Sequence, residues 1–358
     1  MRERPAMTLD EVKRLVRPNI LGLEPYASAR DEFTGAAEIF LDANENSLGS
    51  TAAVPFNRYP DPLQRAVKEK LARIKGVTPG QIFLGNGSDE AIDLLFRVFC
   101  RPGCDAVIIQ PPTYGMYAVS AAVNDVRVIE VPLSRDFQPD PAAVLAAAGE
   151  TAKLLFFCSP NNPSANLMAA ERIQSVLDTF PGLVIIDEAY IDFCPGASWL
   201  SRLQHHTNLV VLQTFSKAWG MAGLRLGILY ADPFIIGLFN HTKPPYNVNA
   251  CTQQHALAAL EREVLKTRMA DKLVAEREQL AAALVEIPEV VHVYPSDANF
   301  LLVRFRAARQ TYLELMQRGI IVRDRSRQLH CAECLRITIG TPEENRRLLA
   351  ALRSLGRV

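Results

Sequence analysis

No stretch of this 358-residue chain comes near the roughly 18 consecutive apolar residues that a membrane-spanning helix requires. Neither sign of charge is in excess. The 39 lysines and arginines match 39 aspartates and glutamates, so the whole-chain balance does not ask for nucleic acid or an anionic membrane as a partner. Internal repeats, low-complexity tracts and long charge runs are also missing, which excludes solenoid, fibrous and disordered chains. Residues 1–10 are charged and lack the apolar segment of a signal peptide, so a cytoplasmic location is expected. Cysteine is sparse and odd in number, at seven. Cys100, Cys158 and Cys194 sit in or beside apolar segments, as reduced thiols of a cytoplasmic core would. Cys331 and Cys334 form a CxxC beside His330, but no second pair lies at matching spacing. No metal site is expected, and the two thiols read as part of a turn before a strand.

What is present is an ordinary globular composition, 49% hydrophobic and 22% charged. At about 150 residues per domain the length suits two domains. Short apolar runs at 106–109, 126–131, 153–158, 183–186, 209–213 and 226–230 read as strands. Several are apolar on both faces, as parallel strands between two helical layers are. Helical patterns at 90–99, 141–148 and 169–180 alternate with them, which predicts an α/β domain with a mostly parallel sheet of seven-stranded type. The texture changes near residue 240. Residues 242–249 read as a connection, 251–287 as one long helix, 300–305 and 335–339 as strands, and 311–317 and 342–355 as helices. The expected organisation is an N-terminal arm over 1–30, a large domain over 31–240 and a small α+β domain over 241–358 that packs with the arm.

Chemistry-bearing residues fall at the ends of these strands, where α/β sheets bind ligands. Lys217 follows the 209–213 strand in Phe215-Ser216-Lys217-Ala218; it reads either as a surface lysine in a turn or as a desolvated amine suited to Schiff-base chemistry. Asp187 ends the 183–186 strand and reads as a helix cap or as the partner of a buried cation such as a protonated pyridine; Tyr190 follows three residues on. Asn162, in Ser159-Pro160-Asn161-Asn162-Pro163, suits an Asx turn or a donor to an aromatic hydroxyl. Gly85-Asn86-Gly87-Ser88-Asp89 precedes an apolar helix. Its free amides suit a phosphate, and Ser88 also suits an N-cap. Thr214, Ser216 and Arg225 would complete an anion pocket. Taken in chain order, these groups fit pyridoxal 5′-phosphate.

Several strings resemble the fold type I, class I/II aminotransferases over nearly the whole chain. They include Ala43-Asn44-Glu45-Asn46, Arg58-Tyr59-Pro60-Asp61-Pro62, Pro111-Pro112-Thr113-Tyr114-Gly115-Met116-Tyr117, Asp187-Glu188-Ala189-Tyr190, Ser216-Lys217-Ala218, Ile321-Val322-Arg323-Asp324 and Leu335-Arg336-Ile337-Thr338. The resemblance implies pyridoxal phosphate as cofactor and small-molecule amine and oxo-acid substrates, with glutamate and a phosphate-bearing amine among them. It implies catalytic roles for Lys217, Asp187 and Tyr190. Lys217 would be the Schiff-base lysine and proton carrier, Asp187 the partner of the ring nitrogen. Tyr190 and Asn162 would contact the ring oxygen and Tyr114 would stack on the ring. Gly87, Ser88, Asp89, Thr214, Ser216 and Arg225 would surround the coenzyme phosphate. Arg336, Arg323, Tyr26 and Asn44 would line the substrate side. Tyr59 would reach the partner subunit's coenzyme in a homodimer with shared sites. The same coenzyme residues would also serve an aromatic amino-acid aminotransferase or a threonine-phosphate decarboxylase. A coenzyme-binding gene regulator would need a DNA-binding domain for which length and charge leave no room. After Pro163 the family has Thr-Gly where this chain has Ser164-Ala165, so alanine takes a position suited to glycine's freedom at positive φ.

Overall fold

The computed structural model describes residues 7–24 and 39–355. Seven strands form the larger sheet: β1 (Ile82–Asn86), β2 (Ala106–Ile109), β3 (Arg127–Glu130), β4 (Ala152–Cys158), β5 (Leu183–Asp187), β6 (Leu209–Thr214) and β7 (Leu226–Tyr230). They lie in the order β1-β7-β6-β5-β4-β2-β3. Strands β2 to β6 run parallel, and β7 runs against both of its neighbours, β1 and β6. Every residue of β2, β5, β6 and β7 is buried, because helices cover both faces and no alternation with polar residues is needed.

The strand period of two sorts the side chains into two cores. Ile108, Leu155, Phe157, Val184, Ile186 and Val211 face one side. Helices α3 (Arg65–Lys75), α6 (Pro141–Ala148), α7 (Ala170–Leu177) and α9 (Ala250–Leu260) supply Leu71, Val144, Ile173 and Ala256 to that core. Val107, Leu154, Phe156, Ile185, Val210 and Leu212 face the other side. There they meet α4 (Gly87–Phe99), α5 (Met116–Val123) and α8 (Pro233–Thr242). The N-terminal α1 (Leu9–Leu15) and α2 (Pro18–Leu21) add Val12, Leu15 and Ile20 to this second core. The described part of the arm thus packs on the large sheet rather than on the small domain.

The smaller sheet is antiparallel throughout, in the order β10 (Arg323–Asp324), β11 (Cys334–Thr338), β9 (Phe300–Phe305), β8 (Val290–Val293). One face builds a core with α10 (Glu263–Val285), α11 (Ala308–Gln317) and α12 (Pro342–Arg353), through Leu280, Leu284, Val303, Leu335, Ile337 and Leu348. The other face turns to the large domain, where Phe300 packs edge-on against Tyr190, ring centroids 5.0 Å apart.

The long helical pattern after residue 250 is two helices, not one. They break at Glu261-Arg262 because Leu260 is buried in the large core while Leu280 and Leu284 are buried in the small one. We propose that the large domain runs through α9 and the small domain starts with α10. β1 was hidden by its glycine and asparagine. In the sheet, Gly85 lies opposite Gly227 of β7, and a Cβ on Gly227 would fall 2.1 Å from the Ser88 nitrogen. Gly227 is what lets β7 and the start of α4 touch.

Candidate active site

The carboxyl ends of the parallel strands and the start of α4 enclose a cavity of about 150 Å³. Gly87, Ser88, Asp89, Tyr114, Asn162, Asp187, Tyr190, Thr214, Ser216, Lys217 and Arg225 all line it, joined by Cys158, Ala189 and Ala222. Every coenzyme residue expected from the sequence is therefore here except Tyr59.

One end of the cavity suits an oxyanion. Gly87 opens α4 at φ +72°, and its N–H donates to the Arg225 carbonyl at 2.8 Å. A Cβ on Gly87 would stand 2.5 Å from Arg225 Nη2, so only glycine lets the guanidinium lie over the first helical turn. Arg225 takes the left-handed conformation at φ +55°, a strained choice for a residue with a side chain. Its Nη2 is 3.6 Å from Asp89 Oδ2, and Asp89 Oδ1 accepts the Tyr114 hydroxyl at 3.1 Å. Asn86, not Ser88, holds the N-cap position, and its side chain makes no capping bond, so the Ser88 and Asp89 amides that follow Gly87 are left uncapped. Thr214 Oγ1 donates to Ser216 Oγ at 3.0 Å and accepts the Ser216 N–H at 3.0 Å, which aligns both hydroxyls beside this end.

The other end suits a buried cation. Asp187 is only 3% exposed. Its Oδ2 accepts the Tyr117 hydroxyl at 2.7 Å and its Oδ1 accepts the Ala189 N–H at 3.0 Å. Burial raises its carboxyl above the usual range; the two hydrogen bonds and Lys217 oppose that rise. Lys217 is half-buried, and burial followed by Arg336 presses its ammonium below the usual lysine value, against the pull of Asp187. Among the described residues no carboxylate pairs with Lys217; its Nζ stands 5.6 Å from the Tyr190 ring centre. An amine so placed is a nucleophile in waiting. Burial keeps the Tyr190 phenol protonated, hence a donor.

The turn after β4 brings the small domain in. Arg336 Nη1 donates to Asn162 Oδ1 at 2.5 Å, which leaves the Asn162 amide NH₂ free to donate. Asn161 ties the turn down by donating to the Pro112 carbonyl at 2.9 Å and to Ser164 Oγ at 2.7 Å. Ala165 does sit at φ +70°, the glycine-like conformation its family position suggested.

Not every expected residue joins. Asn44 and Tyr59 line a separate cleft, where Tyr59 stacks on Tyr246 at 4.3 Å. Arg323 is exposed on the strand paired with Arg336. Tyr26 lies outside the described residues. Three residues were missed. Tyr117 ends one of the quoted strings but carried no expected role; Phe300 was read only as the start of a strand, and Arg325 carried no expectation. All seven cysteines are free thiols, and among the described residues no cluster of histidine, cysteine or carboxylate side chains is arranged to hold a metal.

The family model "Aminotransferase class I and II" matches residues 31–352, and the chain belongs to that family. Its members work with pyridoxal phosphate, and so does this enzyme. The residues fit the group: among the described residues, a buried carboxylate lacks a strong cation, an amine lacks a carboxylate partner, and a glycine-cradled guanidinium lies beside the uncapped Ser88 and Asp89 amides. Two curated relatives are more particular. The chain is 49% identical to the histidinol-phosphate aminotransferase of Cytophaga hutchinsonii over 98% of this chain and 99% of that one. It is 51% identical to that of Parabacteroides distasonis over 97% and 99%. Among solved structures, the histidinol-phosphate aminotransferase of Sinorhizobium meliloti, in complex with pyridoxal-5′-phosphate, aligns with TM-score 0.76 and 26% identity over 87% of this chain and 89% of that one.

Proposed function

We propose that the enzyme interconverts L-histidinol phosphate plus 2-oxoglutarate with 3-(imidazol-4-yl)-2-oxopropyl phosphate plus L-glutamate, a step of histidine biosynthesis. The observation that carries the reading is end-to-end identity of about half to histidinol-phosphate aminotransferases. The coenzyme supplies an aldehyde that captures amines and a protonated ring that draws electrons from the carbon beside the nitrogen. Asp187 holds the proton on the ring nitrogen, which its buried carboxylate needs as a counter-charge. Lys217 would hold the coenzyme through its amine and would carry the proton to and from the substrate Cα. Asn162 and Tyr190 donate to the ring oxygen, and Tyr114 covers the ring. Gly87, Ser88, Asp89, Thr214, Ser216 and Arg225 form the phosphate end. Arg336 and Arg323 take the substrate oxyanion, phosphate in one half-reaction and carboxylate in the other, a dual task suited to guanidinium.

The working form is a cytoplasmic homodimer in which Tyr59 of each chain serves the other's site. Support comes from the apolar segment beside the Tyr59 cleft, where Leu41 is 85% and Leu48 98% exposed. No described helix is long and apolar enough to cross a membrane.

The test is the visible spectrum of the holoenzyme before and after histidinol phosphate, with no oxo acid present. Bleaching of the yellow band is expected. A band bleached by phenylalanine but untouched by histidinol phosphate would overturn the substrate. Release of carbon dioxide from threonine phosphate would make the enzyme a decarboxylase.

A further inference from the structure

The register of the small sheet gathers more positive charge than two arginines. Arg323 lies directly opposite Arg336 in the β10–β11 pair. Beyond β10 the pairing continues, with the Arg325 N–H donating to the Cys334 carbonyl at 2.9 Å. Residues two apart on a strand share a face, so Arg323, Arg325 and Arg336 project together. Their face is the one turned to the active site, since Arg336 reaches Asn162. The alternate residues Leu335 and Ile337 go into the small-domain core.

Like charges on one face repel, and among the described residues no carboxylate pairs with any of the three. Asp324, which lies between two of them in sequence, instead stands 3.8 Å from Arg309. Arg325 Nε is buried with no hydrogen-bond partner, although an unmade bond of this kind is costly. Burial, then Arg336 and Arg323, press the Arg325 guanidinium down to about 10, while Tyr190 opposes. Among the described residues no carboxylate compensates this group, and an oxyanion would.

We propose that Arg325 is a third anion-binding residue of the substrate pocket and sets its preference for a doubly charged phosphate over a singly charged carboxylate. This rests on the reading of Arg336 and Arg323 as substrate groups. Arg336 serves either oxyanion through its fork. An added point charge favours the dianion in proportion to its charge. A cation about 6 Å away under water-like screening improves monoanion binding about threefold and dianion binding about tenfold.

The experiment uses holoenzyme, so that the coenzyme's own phosphate holds the Arg225 end. Wild type, Arg325→Gln and Arg325→Lys are titrated calorimetrically with sodium phosphate and with sodium acetate at pH 8 and constant ionic strength, where phosphate is close to dianionic. Arg325→Gln is expected to weaken phosphate about tenfold and acetate about threefold, and Arg325→Lys to recover most of both. The KM for histidinol phosphate should rise with phosphate dissociation while kcat holds. Melting of Arg325→Gln in phosphate-free buffer should be no lower than wild type, since a repelled cation has gone. Equal losses for the two anions would remove the charge-selective role. Unchanged phosphate affinity, or a melting drop with unchanged affinity, would make Arg325 structural and overturn the proposal. The substrate reading is judged separately: wild type that fails to turn over histidinol phosphate, while Arg325→Gln still loses phosphate, overturns that reading alone.

Discussion

Replacing Tyr117 by phenylalanine isolates a single hydrogen bond at the centre of the site. Tyr117 is fully buried, and its hydroxyl is one of two donors on the Asp187 carboxylate, at 2.7 Å. The ring has its own supports: it stacks on Phe156 at 4.4 Å and 17° and meets Tyr114 edge-on at 5.5 Å. Phenylalanine keeps these, so the change removes the donor and little else. A hydrogen bond to a charged group contributes about 1.5–3 kcal/mol, equivalent to about one to two pKa units. Burial already raises the Asp187 carboxyl, so loss of Tyr117 raises it further. The sign follows from linkage. A carboxyl raised in the fold gives its full stability below its unfolded pKa and loses it as pH climbs through the folded value. The coenzyme-free variant should therefore match wild type in acid and fall behind it at pH 8. On the role proposed for Asp187, coenzyme binding depends on its ionised form, so affinity should weaken wherever the added rise leaves it protonated, by at most about ten- to hundredfold for one to two units. The pH midpoint of that affinity should move up by about one to two units. Absorbance titration of apoenzyme with pyridoxal phosphate from pH 5 to 9 reads both. An unchanged affinity and midpoint would show that Tyr117 does not tune Asp187, and the reasoning about this end of the site would fall.

Lys217→Ala should abolish the yellow band and lower turnover by about a thousandfold or more, measured by stopped assay; retained turnover would remove Lys217 from catalysis. Mixing Lys217→Ala with Tyr59→Ala, each poorly active alone, should restore about a quarter of wild-type activity after subunit exchange, because half the dimers then hold one intact site. No recovery would mean that sites are not shared. Glu188 is fully buried, accepting from Ser198 Oγ at 2.7 Å, the Trp199 N–H at 2.5 Å and Gln213 Nε2 at 2.8 Å. Burial pushes it from 4.5 up to about 7. Its folded value lies above its unfolded one, so apoenzyme stability should drop between about pH 4.5 and 7, by about 3 kcal/mol in all. Urea unfolding at pH 5 and 8 should show this slope flattened in Glu188→Gln; an equal slope would place the titration elsewhere.

How much of this was legible in the chain depends on what each residue answers to. Lys217, Asp187 and Asn162 stand at the ends of strands whose apolar runs announce themselves, and a strand end in a parallel sheet is already an address. The site follows from counting such ends. Tyr117 has no such mark. It lies inside a helix with apolar neighbours, and its role exists only because β5, 70 residues away, brings Asp187 beneath it. β1 was hidden for the opposite reason: Gly85 weakens the strand signal, yet α4 crowds that position, since a Cβ there would stand 3.1 Å from Glu90 Oε2. The long helical pattern after residue 250 concealed a break because neither proline nor glycine marks it; two different cores do. The substrate side was the least legible, and the reason is register. Arg336 was noticed because a charge on an apolar strand is costly. Arg325 sits in a polar stretch where another arginine draws no notice. Only when β10 pairs antiparallel to β11 do three guanidiniums come to share one face, and only when that face docks on the turn after β4 does Arg336 reach Asn162. The coenzyme end of this enzyme is thus written locally, strand by strand, whereas the choice of substrate proposed for it rests on the pairing of two short strands and the meeting of two domains.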